Sequence, residues 1–182
     1  MRSVVGVAVA ALALIPQQPD ELQVFKRWLD REHPGYGSDE GPARFRNATV
    51  EAAYPGRRFY YVLTHARGTP GGPRNPLSLV VEIDDRGGVT PLSLPSLSTY
   101  RAGLRKVKTK EDARRTAAAV LILALGDPRQ RGWKIEESGF RIERRKGGWD
   151  CTFSHGFNYV SRITFDKQGT LTGIDPRLPP VG

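Results

Sequence analysis

Cysteine is almost missing from this 182-residue chain: Cys151 is the only one. A single thiol closes no intrachain disulfide, which excludes a disulfide-stapled scaffold. Histidine is nearly as scarce, with His33, His65 and His155. No two of them have zinc spacing and no cysteine pair stands ready to complete a site, so the sequence predicts no metal and no other cofactor. Long apolar runs are also lacking. The longest, residues 4–15, has about 12 residues and as a helix covers about 18 Å, well short of the ~30 Å hydrocarbon core. A permanent transmembrane helix is therefore not expected. Signatures of catalysis are missing as well. Gly71-Gly72-Pro73 has no helix after it and makes no phosphate cradle. Ser154-His155-Gly156 and Ser138-Gly139 lack the nucleophile-elbow pattern. Asp84-Asp85 and Glu136-Glu137 are turn and strand-edge carboxylates without a spacing that suits acid–base work.

The apolar run that is present has the marks of export. Arg2 supplies a positive start, Ala11-Leu12-Ala13 offers the small residues a signal peptidase reads, and Pro16 stops the helix. No cysteine follows, which excludes a lipoprotein signal. Residues 1–18 are thus predicted to be a cleaved signal peptide and the mature chain to be secreted or periplasmic. The alternative is a buried N-terminal helix, which would ordinarily carry polar residues on one face. A secreted chain without disulfides fits a bacterial envelope better than a small eukaryotic toxin. Asn47-Ala48-Thr49 is a glycosylation acceptor only in a eukaryotic host.

Hydrophobic residues make up 38% and charged residues 26%, a globular balance. Net charge is +9, one less once Arg2 leaves with the signal. Such a chain attracts polyanions: anionic glycans, cell-wall polymers, acidic lipid heads, nucleic acid. The bases are mostly arginines spread along the sequence, and a compositional bias accounts for them without any polyanion role. Given an exported chain, no nucleic-acid partner is expected.

Periodicity predicts a helix over residues 19–33, with Leu22, Phe25 and Leu29 on one stripe and Trp28 beside them. Strands are predicted at 44–53, 57–67, 77–84 and 89–94. Residues 96–108 read as a linker with the bases Arg101, Arg105, Lys106 and Lys108. The clearest helix follows. Thr109 is placed to cap it with Asp112 in a capping box, Ala113, Ala117, Val120, Leu121 and Ala124 form one face, and Gly126 and Pro128 end it. Strands come again at 133–145, 149–155, 159–166 and 171–174.

Both halves therefore run helix, then about four strands. Asp84-Asp85-Arg86-Gly87-Gly88-Val89-Thr90 aligns with Asp166-Lys167-Gln168-Gly169-Thr170-Leu171-Thr172, each a strand, a tight glycine turn and a returning strand. Upstream, Val81 and Ile83 match Ile163 and Phe165. Phe59, Tyr61, Leu63 and His65 share one strand face, and Trp149, Cys151, Phe153 and His155 match them in order.

The Ala-rich helix opening Glu111-Asp112-Ala113-Arg114-Arg115-Thr116-Ala117, the strand Trp149-Asp150-Cys151-Thr152-Phe153 and the hairpin Ser161-Arg162-Ile163-Thr164-Phe165-Asp166-Lys167-Gln168-Gly169-Thr170-Leu171 together resemble PepSY-type modules of bacterial secreted and periplasmic proteins. More broadly they are similar to cystatin-like folds. The resemblance covers about 70 residues of the second half and, more faintly, the first. It implies a non-catalytic binding or inhibitory module, often beside peptidases, with no fixed catalytic residues.

The expected fold is α+β: two tandem cystatin/PepSY-like units, each one helix packed on an antiparallel sheet of about four strands. The units are placed at 19–95 and 109–176, with a linker at 96–108 and a tail at 177–182. The expected partner is a protein or peptide in the envelope or outside the cell, with an anionic polymer as the alternative and an enzyme of unknown chemistry as the third. Arg141, Arg144, Arg145 and Lys146 are the candidate partner or anion surface; a solvated edge strand is the other reading of them. His65 and His155 are candidate positions on a shared sheet face, with capping or surface roles as the alternative. Cys151 and His155 stand about 13 Å apart along a strand, too far for a thiol–imidazole dyad, so Cys151 is expected in the core.

Overall fold

A computed structural model describes residues 20–38, 42–67, 77–92, 96–126, 135–155 and 159–177. The predicted export signal, residues 1–18, lies outside them, as do the Gly71-Gly72-Pro73 loop, the start of the strand expected from residue 133, and most of the C-terminal tail. Helix α1 (Glu21–Glu32) begins where Asp20 accepts hydrogen bonds from the amides of Leu22 and Gln23, at 3.0 and 3.4 Å. Its buried stripe is Val24, Phe25, Trp28 and Leu29. Two short strands, β1 (Tyr36–Gly37) and β2 (Ala43–Arg44), follow. The strand expected at 44–53 is instead mostly helix α2 (Ala48–Ala53). The reason is local. Asn47 accepts from the amides of Thr49 and Val50, at 3.0 and 3.1 Å, and this cap together with Ala48, Glu51, Ala52 and Ala53 outweighs the β-branched Thr49 and Val50. Strands β3 (Phe59–Ala66), β4 (Leu77–Ile83) and β5 (Val89–Pro91) complete a first antiparallel sheet in the order β1-β3-β4-β5, with β2 also paired to β3.

The stretch 96–108 carries a short helix, α3 (Leu97–Arg101), and both Tyr100 and Val107 are buried in the core. Helix α4 (Lys110–Leu125) opens with the expected capping box: the Asp112 amide donates to Thr109 Oγ1 and the Thr109 amide to Asp112 Oδ2, both at 3.0 Å. A single 3-10 turn (Glu137–Gly139) leads into β6 (Phe140–Arg145), which is shorter than the predicted strand. Strands β7 (Gly148–Ser154), β8 (Val160–Asp166) and β9 (Leu171–Asp175) follow in a plain meander, and the second sheet runs β6-β7-β8-β9. The fold is α+β with two antiparallel sheets, as the sequence predicts.

Packing joins the two sheets through one helix. One face of sheet 1, with Tyr60, Val62, Val81 and Ile83, packs on α1. Its other face, with Phe59, Tyr61 and Val80, shares a core with α2, α4 and the inner face of sheet 2. Helix α4 is consequently buried almost all round, from Ala113 and then from Thr116 to Leu123. Its run of alanines keeps the helix thin enough for both sheets and α2 to close on it. The layers run α1, sheet 1, α4 and sheet 2.

The two hairpin turns are the same structure. Asp84 Oδ1 accepts from the amides of Arg86 (2.8 Å) and Gly88 (2.7 Å), and Asp166 Oδ1 from those of Gln168 (2.9 Å) and Thr170 (2.8 Å). Gly87 and Gly169 hold φ of 79° and 77°. Aligned on these turns, the registers differ from the sequence match by one residue. Val81 pairs with Tyr60, and its counterpart Ile163 pairs with Cys151. Cys151 therefore corresponds to Tyr60, not to Tyr61. Likewise Thr64 pairs with Leu77, while the His155 amide donates to the carbonyl of Tyr159. His155 thus corresponds to Thr64, not to His65. A slip of one residue exchanges the faces of a strand. In the corrected frame, α1 lies on sheet 1 as α4 lies on sheet 2.

Candidate functional site

The basic stretch of β6 does not form a block of free cations. Strand alternation puts Arg141, Glu143 and Arg145 on the outer face of sheet 2 and Arg144 on the other, and Lys146 stands in the turn to β7. Arg141 pairs with Glu143 at 2.8 Å. Arg145 pairs with Glu143 at 3.5 Å and with Asp150 at 3.0 Å. From β8, Arg162 grips the Asp150 carboxylate with both Nε (2.8 Å) and a terminal nitrogen. That side chain is only 5% exposed, and the Arg162 hydrogen bonds hold its carboxyl below the usual range. The Arg144 guanidinium lies 5.0 Å above the Trp149 ring centre, a cation–π contact at the rim of the core. The four residues are thus divided between two faces and a turn, and three of them have local partners.

The two candidate histidines belong to different sheets. His65 lies on β3 opposite Gly37. His155 follows β7, and its Nε2 lies 2.8 Å from Ser161 Oγ. Its ring also meets Phe153 edge-on at 4.9 Å. Burial lowers its pKa and favours neutral imidazole. The Ser161–His155 contact has the length of a nucleophile–base pair. Ser161, however, has no exposed surface, and its Oγ also lies 3.5 Å from the Arg177 carbonyl. The sequence reading missed this pair. The signal for it was the β7–β8 register, in which Phe153 opposes Ser161 and His155 opposes Tyr159, so that His155 and Ser161 are diagonal neighbours on one face.

Cys151 points at the main chain of α4, its Sγ donating to the Ala113 carbonyl at 3.8 Å. It is fully buried, and burial pushes the thiol up to about 12. A thiol so protonated is a core residue, not a nucleophile. Among the described residues no group of three histidine, cysteine or acidic side chains is placed to hold a metal ion. Nor, among them, is any helix long and apolar enough to cross a membrane.

A second set of cations stands between the sheets' connections. Arg105, Lys106, Lys108 and Lys110 are all exposed, while Val107 between them is buried. The main chain here is pinned at two points: the Arg105 amide donates to Ala53 O and the Val107 amide to Gly169 O, each at 3.1 Å. The bases were visible in the sequence, but their rigid support was not, since both anchors come from distant segments.

No protein-family model matches the chain, and comparisons with curated proteins and with solved structures return no match.

Proposed function

We propose that this chain is a non-catalytic binding module of the cell envelope or extracellular space whose partner is a protein or peptide. The observation that carries the proposal is β6. This six-residue strand stands at the edge of sheet 2 and, among the described residues, pairs only with β7. An edge strand offers main-chain N–H and C=O groups to which an extended segment adds by strand pairing. On its outer face Arg141 and Arg145, 80% and 61% exposed, flank Glu143. An added strand with acidic residues opposite the two arginines meets complementary charge. The groups otherwise suited to chemistry support binding over turnover, since Cys151 and Ser161 are buried and His155 is engaged with Ser161. The apolar run at residues 4–15 and the Ala11-Leu12-Ala13 site support export. The PepSY-like residues of the second half support a module that binds or inhibits.

The test is a screen of extended acidic peptides, read by hydrogen exchange at β6. Binding is expected to protect β6 amides and to weaken in an Arg141→Glu, Arg145→Glu variant. Binding that leaves β6 exchange unchanged overturns this site. Turnover abolished by Ser161→Ala, His155→Ala or Cys151→Ala overturns the non-catalytic assignment.

A further inference from the structure

The geometry points to a second binding surface on this chain, a cationic ridge of Arg105, Lys106, Lys108 and Lys110 that takes a linear anionic polymer. The ridge is separate from β6 and stands or falls independently of the partner proposed there.

Three observations carry the inference. First, the four cations fall within residues 105–110, and none of them has a carboxylate partner among the described residues. Arg31, Arg58, Arg67, Arg114, Arg141, Arg145, Arg162 and Arg177 all make ion pairs, and the four ridge residues make none. The neighbouring acids are already engaged. Glu111 pairs with Arg114 at 2.7 Å, and Asp112 accepts from the amides of Lys108 and Thr109, at 3.2 and 3.0 Å.

Second, the ridge is built on a fixed main chain. Arg105 and Val107 are tied to Ala53 and Gly169, and the Val107 side chain is sunk in the core. Gly169 sits so close that a Cβ there would lie 2.0 Å from the Val107 carbonyl oxygen. This contact also brings the turn with exposed Lys167 alongside the ridge. Asp166 in the same turn has its Oδ1 committed to the Gln168 and Thr170 amides. Charges on a main chain tied at two points lose less freedom on binding than charges on an untethered loop.

Third, apolar anchors are lacking. Among the described residues the only exposed large hydrophobic side chain is Val160, on β8. A protein interface is ordinarily organised around buried aromatic or aliphatic anchors, a membrane-inserting surface needs an apolar face, and unpaired bases are gripped by stacking on aromatic rings. A surface of cations alone is suited to a flexible chain recognised by its closely spaced sulfate, phosphate or carboxylate groups. Such binding is driven by release of condensed counterions.

The experiment measures binding of the protein to heparin and to inorganic polyphosphate across a salt series. Vesicles containing an anionic phospholipid and neutral vesicles form the second arm. Four contacts predict that affinity falls about 50–150-fold between 50 and 200 mM salt. A variant with Arg105→Gln, Lys106→Gln, Lys108→Gln and Lys110→Gln, its fold checked by circular dichroism, is expected to lose at least tenfold at low salt. Lys26→Gln with Arg27→Gln removes two exposed charges on α1, outside both proposed surfaces, and is expected to lose less than threefold. Binding to heparin but not polyphosphate, or the reverse, identifies the anionic group and supports the ridge. Undiminished polymer binding by the quadruple variant, an equal loss in the control variant, binding to anionic vesicles alone, or no polymer binding at low salt overturns it.

Discussion

At the scale of single residues, Cys151 illustrates how burial sets chemistry. With its thiol pushed up to about 12 and its Sγ on the Ala113 carbonyl, it is expected to resist iodoacetamide at pH 8 in the native protein and to react on unfolding. Mass spectrometry of the alkylated chain reads this directly, and rapid native labelling would refute it. His155 and Asp150 are two of the groups that shape the acid response. Burial lowers the folded-state pKa of His155, so the unfolded chain takes up a proton first, near 6.5. Stability is then fully present above that pH and falls as pH drops towards the folded-state value. Asp150, held low by Arg162, contributes stability above the ordinary carboxylate pKa that is lost as pH falls below it. Urea midpoints at pH 7.5 and 5.5 are expected to differ less in His155→Gln than in the parent. Glycine supplies a further pair of predictions. Gly56 has φ 78° and open space around its Cβ position, so Gly56→Ala costs about 1 kcal/mol of backbone strain. Gly169→Ala adds a collision with Val107 and is expected to cost at least about 2 kcal/mol. Equal midpoints for the two variants in chemical denaturation would contradict the close approach.

At the scale of elements, the contrast between α1 and α4 decides where the chain tolerates change. Helix α1 buries one stripe, while α4 is enclosed by both sheets and α2. Ala117 has no exposed surface, so Ala117→Leu has nowhere to place three more carbons and is expected to cost about 1–3 kcal/mol. Lys26, exposed on α1, is expected to accept leucine within about 0.5 kcal/mol. Thermal unfolding of both variants is the check. Much of α4 was legible beforehand, because its capping box and terminal glycine are local signals. Its two-sided burial was legible only as the apolar area that Ile122, Leu123 and Leu125 add around that one face. Strand β3 was harder. Phe59, Tyr60, Tyr61 and Val62 are all buried, so the strand lacks the alternation that would reveal its phase. That is why Cys151 matches Tyr61 by eye and Tyr60 in the register. The basic candidates of β6 were found by number, but their pairing with Glu143 and Asp150 depends on strand register. The Ser161–His155 contact depends on it too.

At the scale of the whole molecule, α4 makes the two helix–sheet units one cooperative body. Cutting the chain at residue 96 would bare Phe59, Tyr61 and Val80 on sheet 1 and one side of α4 on the other fragment. Neither fragment is expected to fold alone, and the intact chain is expected to unfold in a single transition. Trp28 lies in the α1 layer and Trp149 at the edge of the sheet 2 core, so far-ultraviolet dichroism and tryptophan fluorescence sample both ends. Two separated transitions, or a folded fragment 96–182, would show that the shared core is energetically minor.

The amino-acid sequence alone determined what short-range interactions decide. Thr109 with Asp112, and Gly126, bound the longest helix, and the glycine turns at 84–88 and 166–170 set the two matching hairpins. Each rests on hydrogen bonds within a few residues, so no distant partner can change the outcome. Tertiary structure decided the phase of β3, the ion pairing of the β6 arginines, the engagement of His155 with Ser161, and the exposure of Lys106 and Lys108 around a buried Val107. Those depend on Asp150, Arg162, Ala53 and Gly169, residues that pairing and packing bring together from far along the chain.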